Sequence, residues 1–349
     1  MIPQRQISIP TLVRIKPKAI ERIGIYMRRS GFDRVAFLYS DDLTPSLLDK
    51  AREALSKEHI RTSHTCAVSS NDVEQARNLI PAFAAETRAV IGFGGGKALD
   101  IAKYAASLAK LPYLAVPTSL SNDGFCSPQA SLTEQGARKA FPAATPFGIV
   151  VDTEVCLQAP KFLWFAGMGD LVSKITAVAD WKLAFHRKGT PVDDLSALLS
   201  DATVFQFLAR PTHDLEGVRL LATALMMNGV AMAICGSSRP ASGSEHLISH
   251  ALDRISPRPS LHGLQVGVAT YLVSALQNNR QETIRDLLEK TGFWELIQKK
   301  PFDKKLWQQA IPLAPSIKQN YYTILSEPGK IEEALKILET DEMLKRCLI

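Results

Sequence analysis

Ala89-Val90-Ile91-Gly92-Phe93-Gly94-Gly95-Gly96-Lys97-Ala98-Leu99-Asp100 is the stretch on which the fold turns. A short β-branched run from Ala89 to Phe93 reads as a buried strand. A helical pattern follows from about Gly96 to Leu108, and three consecutive glycines join the two. A tight strand-to-helix turn needs fewer glycines than that. Their presence lets a ligand approach the backbone, and it leaves amide N–H groups free at a helix N-terminus, where a phosphate is favoured. The spacing does not name the ligand. The Rossmann pattern G-x-G-x-x-G fails because Lys97 stands at the third glycine position. The Walker pattern fails because Ala98 replaces Ser/Thr and Ile91 replaces the first glycine.

Outward from this turn the first half keeps one rhythm. Strand-like Arg34–Tyr39 leads to an amphipathic helix over Pro45–His59, and a strand near Arg61–Ala67 leads to a helix over Asn71–Ala85. Tyr113–Val116 follows the glycine segment as a further strand, closed by Pro117. Strands alternating with helices predict a parallel sheet covered on both faces. From about Pro160 the patterns become long and helical: Asp170–Phe185, Leu195–Leu208, Leu215–Cys235, Glu245–Arg254 and Gly263–Leu276, with the prolines of Ser256–Ser260 marking a loop. The domain boundary is therefore expected near residues 155–162.

Three of the seven histidines fall within seventeen residues in this helical half. His246 and His250 are four apart and share one helix face, and His262 opens the next apolar stretch. Neutral imidazoles that converge in this way suit Zn or Fe(II). On spacing alone they stand equally well as surface or satisfied core groups, because no carboxylate completes the set.

Composition narrows the function classes. The 349 residues are 46% apolar and 22% charged, ordinary for a globular protein long enough for two domains. The net charge of +6 is scattered, with no Lys/Arg block interleaved with aromatics, so nucleic acid is not an expected partner. A small anionic ligand suits the excess equally well. Cys66, Cys126, Cys156, Cys235 and Cys347 are odd in number and widely spaced, which argues against a disulfide framework and for a reducing cytoplasm. The start, Met-Ile-Pro-Gln-Arg-Gln, lacks the apolar core of a signal peptide, and no run of eighteen apolar residues suggests a membrane span.

Four segments carry a family resemblance: Gly94–Lys103, Pro117–Gly124, Gly167–Lys174 and the histidine segment Ser242–Gly263. Together they resemble the family of iron-containing alcohol dehydrogenases, glycerol dehydrogenases and dehydroquinate synthases. The Ser121-Asn122-Asp123-Gly124 turn and the stretch Gly243-Ser244-Glu245-His246-Leu247-Ile248-Ser249-His250-Ala251-Leu252-Asp253 are similar to its phosphate-using branch, the glycerol-1-phosphate dehydrogenases. The resemblance implies an α/β N-terminal domain with a Rossmann-like parallel sheet, residues 1–158, binding a dinucleotide. An all-α domain, residues 159–349, would bind metal and substrate in a dehydroquinate synthase-like fold.

The same resemblance implies site residues. Asp170, His246 and His262 would hold Zn2+, with Fe2+ or Ni2+ as alternatives, and three protein ligands leave positions open for substrate oxygens. Gly-Asp before Leu171-Val172 is also a good helix start, so Asp170 reads as an N-cap as well. Asp123 and His250 match substrate-contacting positions and join Asp170 as catalytic candidates, although Asp123 also reads as a turn former. Gly94, Gly95, Gly96, Lys97, Ala98, Leu99, Asp100, Thr118, Ser119, Leu120, Ser121 and Ser127 match positions lining NAD(P). Asp100 reads equally as a first-turn helix charge, and Lys103 as a solvated lysine. Leu264 departs from the more polar residue expected beside His262. Asp41 and Asp42, after Tyr39-Ser40, bear on NAD against NADP without settling it.

The implied activity is reversible, NAD(P)H-linked reduction of a phosphorylated triose, dihydroxyacetone phosphate to sn-glycerol 1-phosphate, a step of phospholipid biosynthesis performed by a homo-oligomer. A polyol dehydrogenase acting on unphosphorylated glycerol and a dehydroquinate-synthase-like cyclase or lyase are the rival readings.

Overall fold

The computed structural model describes residues 7–349, so the expectation placed on Met-Ile-Pro-Gln-Arg-Gln lies outside the described residues. The chain forms two compact units: one of residues up to Pro160 together with His213–Ile234, the other of Lys161–Thr212 and Cys235–Ile349. A single cut after residue 158 does not describe this division. The boundary near Pro160 is one of three crossings, and residues 213–234, expected in the helical half, pack with the first unit.

The first unit runs β1 (Leu12–Lys16), α1 (Ile23–Arg29), β2 (Arg34–Ser40), α2 (Pro45–Lys57), β3 (Arg61–Val68), α3 (Val73–Leu79), β4 (Ala89–Gly94), α4 (Gly96–Leu108) and β5 (Tyr113–Pro117). The hairpin β6 (Gln129–Glu134) and β7 (Ala137–Pro142), then β8 (Gly148–Asp152) and α5 (Thr153–Gln158) complete it before the chain leaves. Six strands form one parallel sheet in the order β1-β8-β5-β4-β2-β3. The inner strands β4, β5 and β8 are buried throughout, as a sheet covered on both faces requires, whereas the edges β1 and β3 are partly exposed. Phe37, Ile91, Phe93, Leu114, Val116 and Val150 pack with Tyr26, Met27 and Leu55 into one core. Helix α3 is shorter than the expected Asn71–Ala85. Asp72 caps its start by accepting from the Glu74 amide at 2.8 Å, and Pro81 offers no N–H to continue it.

The second unit is helical: α6 (Lys161–Val172), α7 (Lys174–Lys188), α8 (Asp194–Leu208), then, after the first unit's α9 (Leu215–Cys235), α10 (Ser244–Ile255), α11 (His262–Leu276), α12 (Gln281–Thr291), α13 (Phe293–Lys299), α14 (Lys304–Leu313), α15 (Lys330–Thr340) and α16 (Glu342–Cys347). The single helix expected over Asp170–Phe185 is two helices broken at Ser173, whose hydroxyl donates to the Asp170 carbonyl at 2.7 Å. Asp170 therefore lies in the last turn of α6 and caps no helix start. By length and composition Lys161–Lys188 and Leu215–Cys235 pass for bilayer-crossing segments, yet most of each is buried inside the protein.

Glycine backbones bring α6 and α11 into contact. A Cβ on Gly169 would sit 2.2 Å from the Gly263 carbonyl oxygen, and one on Gly263 would sit 2.0 Å from the Ala166 carbonyl oxygen. Residues with any side chain would hold these helices apart.

Candidate active site

The crossing of α6 and α11 places Asp170 beside His262, since each adjoins one of the touching glycines. Helix α10 supplies His246 in its first turn and His250 one turn on. The ligand-capable atoms of Asp170, His246 and His262 lie within 4.8 Å of one another, and His246 Nε2 is 3.3 Å from Asp170 Oδ1. Two donors at about 2.0–2.1 Å from a tetrahedral zinc are roughly 3.3 Å apart, so this pair has the separation that a shared metal requires. The imidazole centroids are 5.0 Å apart for His246–His262, 5.4 Å for His250–His262 and 6.3 Å for His246–His250. Asp253 joins His250 and His262 in a second, less buried group within 4.8 Å.

Neighbouring side chains orient these rings. Glu245, fully buried, lies 2.9 Å from His246 Nδ1 and also accepts from the Gly243 amide and the Thr176 hydroxyl. The Ser249 hydroxyl donates to Gln265 Oε1 at 2.7 Å, so at 2.9 Å it accepts from His262 Nδ1–H. Both arrangements leave Nε2 for a metal, the pattern by which outer groups fix a ligand's tautomer. Burial pushes the Asp170 carboxyl up, but the Lys174 ammonium at 3.4 Å and the adjacent imidazoles outweigh it, and the group stays well below the usual carboxylate range. Burial likewise pushes His246 down, while hydrogen bonds to the Asp170 and Glu245 carboxylates prevail and raise it. Asp170 is thus held ionised, in the state a metal ligand requires. The donor set, its spacing and its outer partners fit a divalent metal.

Glu245, Ser249, Gln265 and Lys174 are functional candidates that spacing did not single out. Burial is their common signal: a glutamate and a lysine with no exposed surface need partners.

In the first unit the glycine turn falls at the sheet's switch point. The chain leaves β2 for β3 on one side and returns to β4 on the other, and ligands of open α/β sheets bind beyond the strand carboxyl ends there. Gly94 has φ +136°, and a Cβ on it would lie 2.2 Å from Ser40 Oγ at the end of β2. The Gly95 amide donates to that hydroxyl at 3.0 Å, and the Thr118 amide donates to the Gly94 carbonyl at 3.0 Å. A cleft above α4 brings together Gly96, Leu99 and Asp100 with Ser119, Ser121 and Asn122. The side chains of Ala98 and Leu120 turn into the core, Thr118 is buried, and Lys97 is exposed with its ammonium on the Ser69 carbonyl.

Asp123 opens a 3-10 turn, Asp123–Phe125, beyond β5; Asn122 caps it by accepting from the Gly124 amide at 2.8 Å. Lys103 is not a solvated lysine. Its side chain is fully buried, and its ammonium donates to the Gly124 and Gln129 carbonyls and approaches Asp100 at 3.3 Å. The Ser127 hydroxyl donates to the same two carbonyls. Burial raises the Asp100 carboxyl against the pull of Lys103.

Comparison with known proteins places this architecture. The profile of the iron-containing alcohol dehydrogenase family matches residues 14–160. The chain is 32% identical over 343 residues to glycerol-1-phosphate dehydrogenase (NAD(P)+) of Methanosarcina mazei, covering 97% of this chain and 96% of the relative. It is 34% identical over 339 residues to the enzyme of the same name from Methanothermobacter thermautotrophicus, covering 96% and 97%. Among solved structures, glycerol dehydrogenase from Schizosaccharomyces pombe superposes with a TM-score of 0.76 at 17% identity, covering 98% of this chain and 91% of that one. Sulfoacetaldehyde reductase from Bifidobacterium kashiwanohense, in complex with NAD+, gives 0.72 at 16%, covering 97% and 99%. At such identities the structural matches speak for the fold alone.

Proposed function

The chain belongs to the glycerol-1-phosphate dehydrogenase family of the iron-containing alcohol dehydrogenases, and from that premise we propose that it reduces dihydroxyacetone phosphate to sn-glycerol 1-phosphate, reversibly, with NADH or NADPH. The observation that carries the reading is the convergence of Asp170, His246 and His262, whose donor atoms lie within 4.8 Å of one another. These three would hold the metal. Zn2+ is the first choice for one carboxylate and two imidazoles, with Fe2+ and Ni2+ as the alternatives. When bound, the metal supplies Lewis acidity at the substrate oxygen and the nicotinamide supplies the hydride.

The chain's own residues do the rest. Glu245 and Ser249 keep the imidazoles turned so that Nε2 faces the reaction, and Lys174 keeps Asp170 ionised. Gly94, Gly95 and Gly96 leave the first amides of α4 open to the cofactor's pyrophosphate, as Lys97 to Asp100 continue the helix. Thr118, Ser119, Leu120, Ser121 and Ser127 complete the cofactor surface. Asp123 and His250 are assigned to the substrate, His250 passing a proton between the reacting hydroxyl and water. A cytoplasmic location and homo-oligomeric assembly belong to the same reading. The five cysteines form no disulfide, which supports the first, and Leu195, Leu198 and Phe205, exposed on α8, support the second.

The test is a metal assay joined to a steady-state substrate panel of dihydroxyacetone, its phosphate and glycerol 1-phosphate. Wild type should carry one metal per active site and turn over the phosphorylated triose with a net change in cofactor absorbance. His246→Ala should lose both metal and turnover. A metal-free His246→Ala protein that still oxidised the cofactor at the wild-type rate would end this proposal, and turnover without net cofactor change would favour a cyclase.

A further inference from the structure

The loop that leads into α10 and the segment that follows α14 bring together two cations, Arg239 and Lys318, neither within ion-pair distance of a carboxylate among the described residues. Arg239 is 4% exposed. Its guanidinium carbon lies 3.7 Å from the centre of the Tyr321 ring, and the Lys318 ammonium lies 4.5 Å from the same centre. Arg239 donates to the Tyr322 carbonyl at 2.6 Å, Lys318 to the Ser238 hydroxyl at 3.0 Å, and the Tyr321 hydroxyl to the Ser242 carbonyl at 2.6 Å. Among the described residues neither cation has an ion pair.

The nearest acids are already engaged. Glu245 accepts from Gly243, Thr176 and His246, and Asp180 accepts from the Ser244 and Ile324 amides and from Gln277. Burial and the Arg239 charge pull the Lys318 ammonium down to about 8, the mark of two like charges set side by side out of water. Stacking on Tyr321 offsets part of that cost. Most of the guanidinium donors remain to be used, and a phosphate would use them: a planar fork and a point charge on one rigid platform suit a dianion. A chain of contacts leads from the Arg239 loop to the proposed metal ligands. Arg239 and His246 are seven residues apart, and the Ala241 carbonyl between them accepts from Lys174, which lies 3.4 Å from Asp170 Oδ1.

We infer that Arg239 and Lys318, stacked on Tyr321, hold the phosphate group of the substrate and so set the preference for a phosphorylated triose. This rests on the substrate reading above, and two measurements separate the two claims. In the metal-loaded enzyme, Arg239→Gln and Lys318→Gln should each raise the inhibition constant of inorganic phosphate roughly 10- to 100-fold, the value of a hydrogen-bonded charge. The ratio of kcat/KM for dihydroxyacetone phosphate over dihydroxyacetone should fall by a similar factor. Lys318→Arg should restore most of the loss, and Arg239→Lys serves if the glutamine variant does not fold.

Folded, metal-loaded glutamine variants with wild-type phosphate inhibition and wild-type ratio would overturn the subsite. If wild type itself shows no preference for the phosphorylated triose, the substrate reading fails. Calorimetric titration of inorganic phosphate then decides the subsite separately: binding to wild type that Arg239→Gln abolishes supports it, and equal or no binding overturns it.

Discussion

Lys103 carries its charge into the interior of the first unit and uses it on the backbone. Its ammonium ties α4, which begins at the glycine turn, to the carbonyls on either side of Ser127, in the turn that holds Asp123. Lys103→Met would leave two buried carbonyls and the Asp100 carboxylate without that donor, at a cost of about 3 kcal/mol. Chemical denaturation should show that loss together with weaker cofactor binding, while metal content, fixed in the other unit, stays at the wild-type level. Wild-type stability would exclude this role. Lys318 gives a pH signature. Its usual value of 10.5 is lowered to about 8, so the cation is present below that pH and disappears above it. Because kcat/KM reports the free enzyme, kcat/KM for the phosphorylated substrate should fall as pH rises through 8, relative to the unphosphorylated one. Of the groups that face Lys318, Arg239 stays protonated there and Tyr321 is pushed up to about 12, so Lys318→Arg should flatten the descent.

At the scale of elements, the meeting of α6 and α11 decides whether the three proposed ligands converge. Gly263→Ala would drive a methyl group against the Ala166 carbonyl, where no flexible side chain can yield. The expected cost is about 1–3 kcal/mol, with faster metal release, although no ligand has been touched. Thermal unfolding and metal-release kinetics in the presence of a chelator would check both, and wild-type release kinetics would show that the crossing does not set the site. The same crossing marks where the sequence stopped being readable. The period of Gly96–Leu108 and the buried run Ala89–Phe93 are local signals and gave β4 and α4 almost to the residue. That Gly169 meets Gly263 depends on residues ninety-four positions apart, and no periodicity records it. Gly-Asp has the local meaning of a helix start as well as of a ligand position, and only the break of the helix at Ser173 puts Asp170 at a helix end. Strand β1 leaves little trace in the sequence because it is a half-exposed edge, and β6 and β7 leave little because their turn, Gln135-Gly136, carries a weak signal between short strands. His246 and His250 were legible from their spacing; Glu245 and Ser249, which orient the rings, matter only through burial and distance.

For the whole molecule, neither unit is a continuous piece of chain. Residues up to Pro160 supply the sheet, but His213–Ile234 belongs with it. A fragment of residues 7–160 should therefore expose the surface that α9 covers and aggregate or stay partly unfolded, and a linked fragment adding residues 213–234 should recover cooperative unfolding. Calorimetry on the two would decide, and an independently stable 7–160 fragment would mean that α9 adds nothing to this unit's integrity. The interleaving also has a temporal meaning. On the ribosome the sheet's unit is incomplete while the first three helices of the other unit emerge, and its last segment is supplied only when residue 234 clears the exit tunnel. The histidines of α10 follow that segment in the chain, so they emerge only after every part of the sheet's unit has been made.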